Sequence, residues 1–259
     1  MKLLKLLFVC LLFSASIEAR PFDHSHSVFN QILTKHVHKK EKQTLVNYKA
    51  LKEQKNLTNL KKYLDSLTSV TKNQYSTFST EQRLAFLINA YNAFTLKLIV
   101  DNYPIKSIKD IGGFFSSPWK KKFFSLLEEK MHLDGIEHDI IRKDFNEPRI
   151  HFAVNCASIG CPSLYPEAFT AEKLEAQLAQ AAENFLTNPQ KNRIDQKEKT
   201  IFLSKIFKWY GKDFEKHGKG VLKFVAPIIT SDSNQKNEII SGSFEIDYLD
   251  YDWGLNEFK

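Results

Sequence analysis

Of the residues able to do covalent chemistry, Cys156 has the most favourable setting. It follows residues 149–155, where Ile150, Phe152 and Val154 alternate with His151, Ala153 and Asn155 in the pattern of a β-strand. It then opens a loop of small residues, Cys156-Ala157-Ser158-Ile159-Gly160-Cys161-Pro162. Unpaired backbone N–H groups in such a loop favour a thiolate. The same groups can hold the negative oxygen of a tetrahedral intermediate. A nucleophilic cysteine also needs a base within hydrogen-bond reach.

Two histidines compete for that role. His151 lies on the expected strand, and by strand rise about 16 Å of extended chain separates it from Cys156. Contact would require the chain to double back. His138 belongs to a separate element, a helix expected to begin at Asp134 with Glu137 completing a D-x-x-E capping box. It is free to pack opposite the cysteine, so His138 is the preferred base and His151 the second choice. Glu137 is better placed to cap than to orient its neighbour. Asn92 can orient the imidazole instead, as in Cys-His-Asn sites.

Asn92 and Asn89 sit three apart in an otherwise apolar helix, where a buried amide must find partners. Either they tie loops to the core, or one of them orients a catalytic group or donates to an oxyanion. Cys156 and Cys161 can also close a disulfide, which an oxidising compartment permits. Their spacing is wider than Cys-x-x-Cys, which makes a redox pair the lesser reading.

The elements that must position these residues read as follows. Residues 21–70 are polar and helical, with Leu57, Leu60, Leu64 and Leu67 at amphipathic spacing. Four early histidines, His24, His26, His36 and His38, lack a ligand set around them and read as a surface lead-in, with no metal expected. Ser79 and Gln82 make a capping box for an apolar helix that ends at Asn102-Tyr103-Pro104. A hairpin is expected over 121–127 and 130–133, and a helix over 170–187. A strand over 200–203, a helix over 205–214 and a strand over 244–250 complete the chain. Helices and strands mix without regular β-α-β alternation, so the class is α+β.

The chain begins MKLLKLLFVCLLFSASIEAR: a positive head, a short apolar run and a small-residue tail, the order of a secretory signal peptide. The apolar run falls short of the about 20 residues a membrane span needs, and Cys10 inside it is a poor lipidation site. Cleavage near Ala19 leaves a periplasmic or secreted chain with no transmembrane anchor, carrying only Cys156 and Cys161. The formal charge is +7, spread in short lysine runs on a solvated surface. Nucleic acid is a poor partner for an exported chain.

Several ordered motifs now carry a resemblance. The segments Phe86-Leu87-Ile88-Asn89-Ala90-Tyr91-Asn92-Ala93, Ile136-Glu137-His138-Asp139-Ile140-Ile141-Arg142 and His151-Phe152-Ala153-Val154-Asn155-Cys156-Ala157-Ser158, then Gly160-Cys161-Pro162, resemble the domain of unknown function 547 family. Ile206-Phe207-Lys208-Trp209-Tyr210 and Tyr251-Asp252-Trp253 resemble its bacterial members. The resemblance runs from about Ser79 to the C-terminus. With the leader and the lead-in read above, the chain is expected to divide into a signal peptide over 1–19, an N-terminal helical extension over 20–78 and, as the resemblance implies, a core domain over 79–259.

The family is distantly similar to papain-like thiol hydrolases. That implies a small antiparallel sheet packed on helices, permuted because the histidine precedes the cysteine. It also implies Cys156 and His138 as the catalytic pair, with Glu137 and Asn92 accompanying them. The expected activity is cleavage of an amide bond in a small peptide or a thiol-containing, glutathione-like substrate, without a cofactor. Plant relatives join the domain to helical interaction segments, which sustains a non-catalytic binding or scaffold role as the alternative.

Overall fold

The computed structural model describes residues 21–113, 116–216 and 220–259. The leader expected over 1–19, with Cys10, lies outside these residues. Helix α1 (Ser27–His36) runs straight into a hairpin of β1 (Val37–Lys40) and β2 (Gln43–Val46), antiparallel with Val37 opposite Val46. Short α2 (Tyr48–Leu51), α3 (Gln54–Thr68) and α4 (Lys72–Ser76) follow. The lead-in is therefore not wholly helical, since Val37, Thr44 and Val46 favour an extended chain. Nor does it lie on the surface. Phe29, Leu33, Tyr48, Leu60 and Tyr63 share one core cluster with the next helix, and His26 and His36 are buried.

That next helix is α5 (Thr80–Asn102). The Ser79 side chain accepts from the Gln82 N–H, and the Gln82 side chain accepts from the Ser79 N–H, as the capping box requires. It is long and apolar enough to cross a membrane, yet 89% of its most apolar stretch is buried within the protein. It is the central core helix.

β3 (Phe124–Leu126) and β4 (Glu129–Met131) form the expected hairpin. Gly135–Ile141 is then a π-helix that passes into α6 (Arg142–Asp144). Asp134 does not cap it: its own backbone is already helical and its side chain accepts no capping bond. Residues 149–155 are likewise not a strand. Pro148–Phe152 is a 3-10 helix, started by Pro148 at its first position and by the Glu147 side chain accepting from the Arg149 N–H. Ala153 and Val154 continue the turn by donating to the Ile150 carbonyl. The apparent alternation misleads because His151, Ala153 and Asn155 are as buried as Ile150 and Phe152.

α7 (Leu174–Leu186), β5 (Arg193–Asp195), β6 (Thr200–Leu203), α8 (Lys205–Lys216), α9 (Gly220–Ile229), α10 (Ser233–Ile240) and β7 (Glu245–Tyr248) complete the order. β5 pairs antiparallel and β7 parallel with the central β6. The class is α+β, with two hairpins and one mixed sheet in place of a single antiparallel sheet. A second core cluster joins α7, α8 and α9 through Phe185, Phe207, Phe214 and Phe224 around Phe152. The C-terminal tail stitches distant parts together. Val46 N–H donates to Asn256 O at 2.8 Å, and Asn256 N–H to Ala157 O at 3.1 Å.

Candidate active site

One cleft of about 310 Å³ gathers most of the chemistry-bearing residues. Its lining includes Glu137 and His138 from the π-helix, His151 from the 3-10 helix, and Cys156 and Cys161 from the loop. Trp209 and Tyr210 enter from α8, and Tyr251 and Trp253 from the tail. α8 departs from helical geometry at Tyr210 (φ −116°, ψ 15°), and the kink sets both rings at the cleft.

His151 is held on one side only. Its Nε2 lies 2.7 Å from Asp213 Oδ2, and its ring stacks on Tyr210 at 3.9 Å between centroids. A carboxylate accepts only, so Nε2 carries the proton. With the ring neutral, Nδ1 keeps its lone pair, and this buried atom has no hydrogen-bond partner. The Glu137 Oε1 atom stands 3.9 Å away. Asp213 is gripped further by Arg142, whose Nε and Nη2 donate to its two oxygens at 2.6 and 3.0 Å. Burial by itself would raise the Asp213 carboxyl, but the bonds from His151 and Arg142 outweigh it and hold it well below the usual carboxylate range.

His138 is held the other way round. Its Nδ1 accepts from Arg142 Nη1 at 3.1 Å, so in the neutral ring the proton sits on Nε2. Nε2 points towards Asp134, 3.9 Å away. A base must offer a lone pair where the proton is to be taken, and His138 offers an N–H. The wide π-helical turn brings Glu137 Oε1 to 3.9 Å from His138 Nδ1, although the two are adjacent in the chain. Burial first, then the Glu137 charge, pushes the Tyr91 and Tyr210 hydroxyls up.

Cys156 and Cys161 are joined in a disulfide, with an S–S distance of 2.03 Å and Cα atoms 6.2 Å apart. The Tyr251 hydroxyl sits 3.2 Å from the Cys156 sulfur and 3.1 Å from that of Cys161. Cys156 N–H donates to Cys161 Sγ at 3.0 Å. The loop amides expected to serve an oxyanion are already committed. Ala157 N–H donates to Asn155 Oδ1, Ile159 N–H to Gly254 O, Gly160 N–H to Asp252 O and Cys161 N–H to Ser158 O. Gly160 is required there, because a Cβ would meet the Asp252 N at 2.9 Å. Ala157 takes φ 61°, a left-handed conformation that costs an alanine about 1 kcal/mol. Lys191 anchors the loop's far end by donating to the Cys161 carbonyl, and burial pushes its ammonium down to about 8.

Neither asparagine of α5 touches an imidazole. Asn92 donates to the Ala153 carbonyl at 2.9 Å and accepts from the Asn155 N–H at 2.8 Å. Asn89 makes the same two-way clamp on Phe169, at 2.7 and 3.0 Å. Asn92 is a positioning residue for the turn that precedes Cys156, in place of an orienter of the base. Among the described residues no group of histidine, cysteine and carboxylate side chains has the makings of a metal site.

Sequence reasoning missed Asp213 and left Arg142, Tyr210 and Tyr251 without roles. The one available signal was Asp213 falling three positions after Tyr210 on an expected helix, which sets the two on one side.

Fold and cleft together define an α+β protein with paired sulfurs, an aspartate-held imidazole and an aromatic wall. Residues 75–186, from within α4 to the end of α7, match the family model described as Protein of unknown function, DUF547. This match supports the DUF547 family and takes in Asn92, Glu137, His138, His151 and both cysteines. Asp213, Tyr210, Tyr251 and the α8 and tail tryptophans fall beyond it. No curated protein and no solved structure matches the chain.

Proposed function

We propose that the reduced protein is a thiol-dependent hydrolase of amide bonds in small peptides, with Cys156 as nucleophile and His151 as base. The observation that carries this reading is the bare, buried Nδ1 of His151, oriented through Nε2 by Asp213, in a cleft that Cys156 also lines. The reading requires the disulfide to be opened. A small thiol attacks one sulfur, a second thiol resolves the mixed disulfide, and the chain gains two thiols as the reductant becomes a disulfide.

His151 Nδ1 then takes the Cys156 proton, and the sulfur attacks the substrate carbonyl. The C–N bond breaks as the imidazolium returns its proton to the leaving amine. Water activated by the same nitrogen hydrolyses the thioester. The oxyanion donors of this scheme are the Cys156 N–H, released from Cys161 Sγ on reduction, and the Tyr251 hydroxyl. A papain-like, permuted core and export from the cytoplasm belong to the same reading, because both histidines precede the cysteine and the chain opens on a leader-like stretch.

The test begins with complete reduction, iodoacetamide labelling and mass-spectrometric mapping, followed by hydrolysis of a panel of small amides. Cys156 should alkylate. His151→Gln should lower hydrolysis by about 10²–10⁴-fold, the usual worth of a general base, and His138→Gln by far less. A Cys156 that stays unreactive after full reduction sinks the proposal. A second reading, a thiol-disulfide exchange protein, is favoured by the bond itself standing in the wall of a cleft. Cys161→Ser separates the two: a hydrolase survives it and an exchange pair does not.

A further inference from the structure

The cleft has a composition that its catalytic reading does not use. All three tryptophans of the chain, Trp119, Trp209 and Trp253, line it, together with the carboxylates of Asp134 and Glu137. The chain carries 37 lysines and arginines, yet among the described residues none lines the cleft. Arg142, whose Nη1 donates to His138 Nδ1, is ion-paired with Asp213. Among the described residues, Asp134 and Glu137 have only histidine nitrogens within ion-pair range, each at 3.9 Å. A basic protein has therefore built one acidic, aromatic hollow.

Glu137 already accepts from the Tyr91 and Tyr210 hydroxyls, so Asp134 is the carboxylate left to a ligand. Electron-rich ring faces and a carboxylate attract the same kind of ligand, a weakly hydrated organic cation. The protein already shows this preference at the rim, where Lys109 Nζ sits 3.6 Å from the centroid of the Trp253 ring. Trp253 in turn packs against Trp209 and Tyr251, with centroids 5.9 and 4.6 Å apart. Trp209 is 46% exposed, so its face is open to a ligand.

We propose that this cleft binds ligands through an alkylammonium group, and that the substrate class of the hydrolase, on which this last clause rests, is a cationic amide. Glutathione-like substrates carry net negative charge and meet two carboxylates, with no lysine or arginine among the described residues that line the cleft. The cleft selects against them.

Because every tryptophan lines the cleft, intrinsic tryptophan fluorescence reports on it. The experiment titrates the oxidised full-length protein, in which Cys156 cannot react, with choline, with its uncharged isostere dimethylbutanol and with glutathione blocked as its S-methyl thioether, which carries no free thiol. Choline should give a saturable change and bind about tenfold tighter than dimethylbutanol, the ratio expected for a desolvated cation–π contact. Glutathione should not saturate. Trp209→Leu, at an exposed site that keeps an apolar side chain, should weaken choline and leave dimethylbutanol unchanged. Asp134→Asn should also weaken choline. Equal binding of the isostere, tighter binding of glutathione, or a linear response to every probe overturns the proposal. Since no thiol takes part, a failed hydrolase leaves this result standing, and a failed titration leaves Cys156 reactivity untouched.

Discussion

The group that takes one nitrogen of a buried imidazole decides which nitrogen is left to act as a base, and this separates two histidines that share one cleft. Asp213 occupies Nε2 of His151 and leaves Nδ1 bare, whereas Arg142 donates to Nδ1 of His138 and leaves an N–H facing Asp134. On that account the proposed function takes His151 as the base in place of His138. Asp213→Asn replaces an acceptor with a group that can donate, so His151 can switch tautomer, and hydrolysis should fall by on the order of 10⁴-fold. The same carboxylate links stability to pH. Its folded value is depressed, so its contribution is fully present above the ordinary carboxylate range and is lost as acid protonates it. Urea unfolding of wild type and Asp213→Asn, compared from neutral pH downward, should show the wild type's advantage shrinking below about pH 4. An advantage that persists at lower pH would count against the linkage.

Irregular elements do the positioning. The π-helix brings adjacent residues Glu137 and His138 to one cleft, the 3-10 helix sets His151 in the cleft that Cys156 also lines, and the kink at Tyr210 sets the α8 rings there. π-helical turns recur at functional sites because they re-aim side chains at a cost in regularity. A strand rises about 3.3 Å per residue and a 3-10 helix about 2.0 Å, so the distance that first counted against His151 contracts. α5 holds this geometry through Asn92, which satisfies a carbonyl and an N–H of the turn before Cys156. Asn92→Ala strands both groups in the core and should cost on the order of 2–4 kcal/mol, read as a lower urea midpoint. Iodoacetamide labelling of Cys156 in the reduced variant should accelerate as the turn loosens. A variant with wild-type stability would show that water reaches the turn and that the clamp is dispensable.

At the scale of the molecule, the segment before Ser79 is part of the same packed body as the matched region. Phe29 stacks on Tyr63 at 4.8 Å between centroids, and both share a core cluster with α5. His26 lies in that core with Nδ1 2.7 Å from the Tyr63 hydroxyl. Burial, aided by nearby His24 and opposed by Asp23, pushes its imidazole down to about 3. In the unfolded chain it binds a proton near pH 6.5, so stability is whole above that value and is lost as pH falls from 6.5 towards 3. The loss should reach about 1.4 kcal/mol per pH unit in that window. His26→Asn keeps a residue that tolerates the left-handed backbone found there (φ 49°) and should flatten this part of the curve. An unchanged slope would mean that acid acts elsewhere. The tail is equally integral, tying β2 to the Cys156 loop while delivering Tyr251 and Trp253 to the cleft.

The chain's own residues determined the features set by local chemistry: the capped core helix from Ser79, the hairpin after residue 121, the α+β mixture and the small-residue loop that begins at Cys156. Each follows from periodicity, capping or turn preference, which act over a few neighbouring residues. Tertiary structure alone decided the rest. An alternating pattern looked like a strand at 149–155 because sequence cannot show that both faces are buried, and Asp134 resembled a cap because spacing cannot show that its backbone is already helical. Which histidine has a free lone pair depends on Asp213 and Arg142, 62 positions from His151 and four from His138 along the chain. The sign of the cleft is likewise a sum over residues from six separate segments, which meet only when the chain has folded.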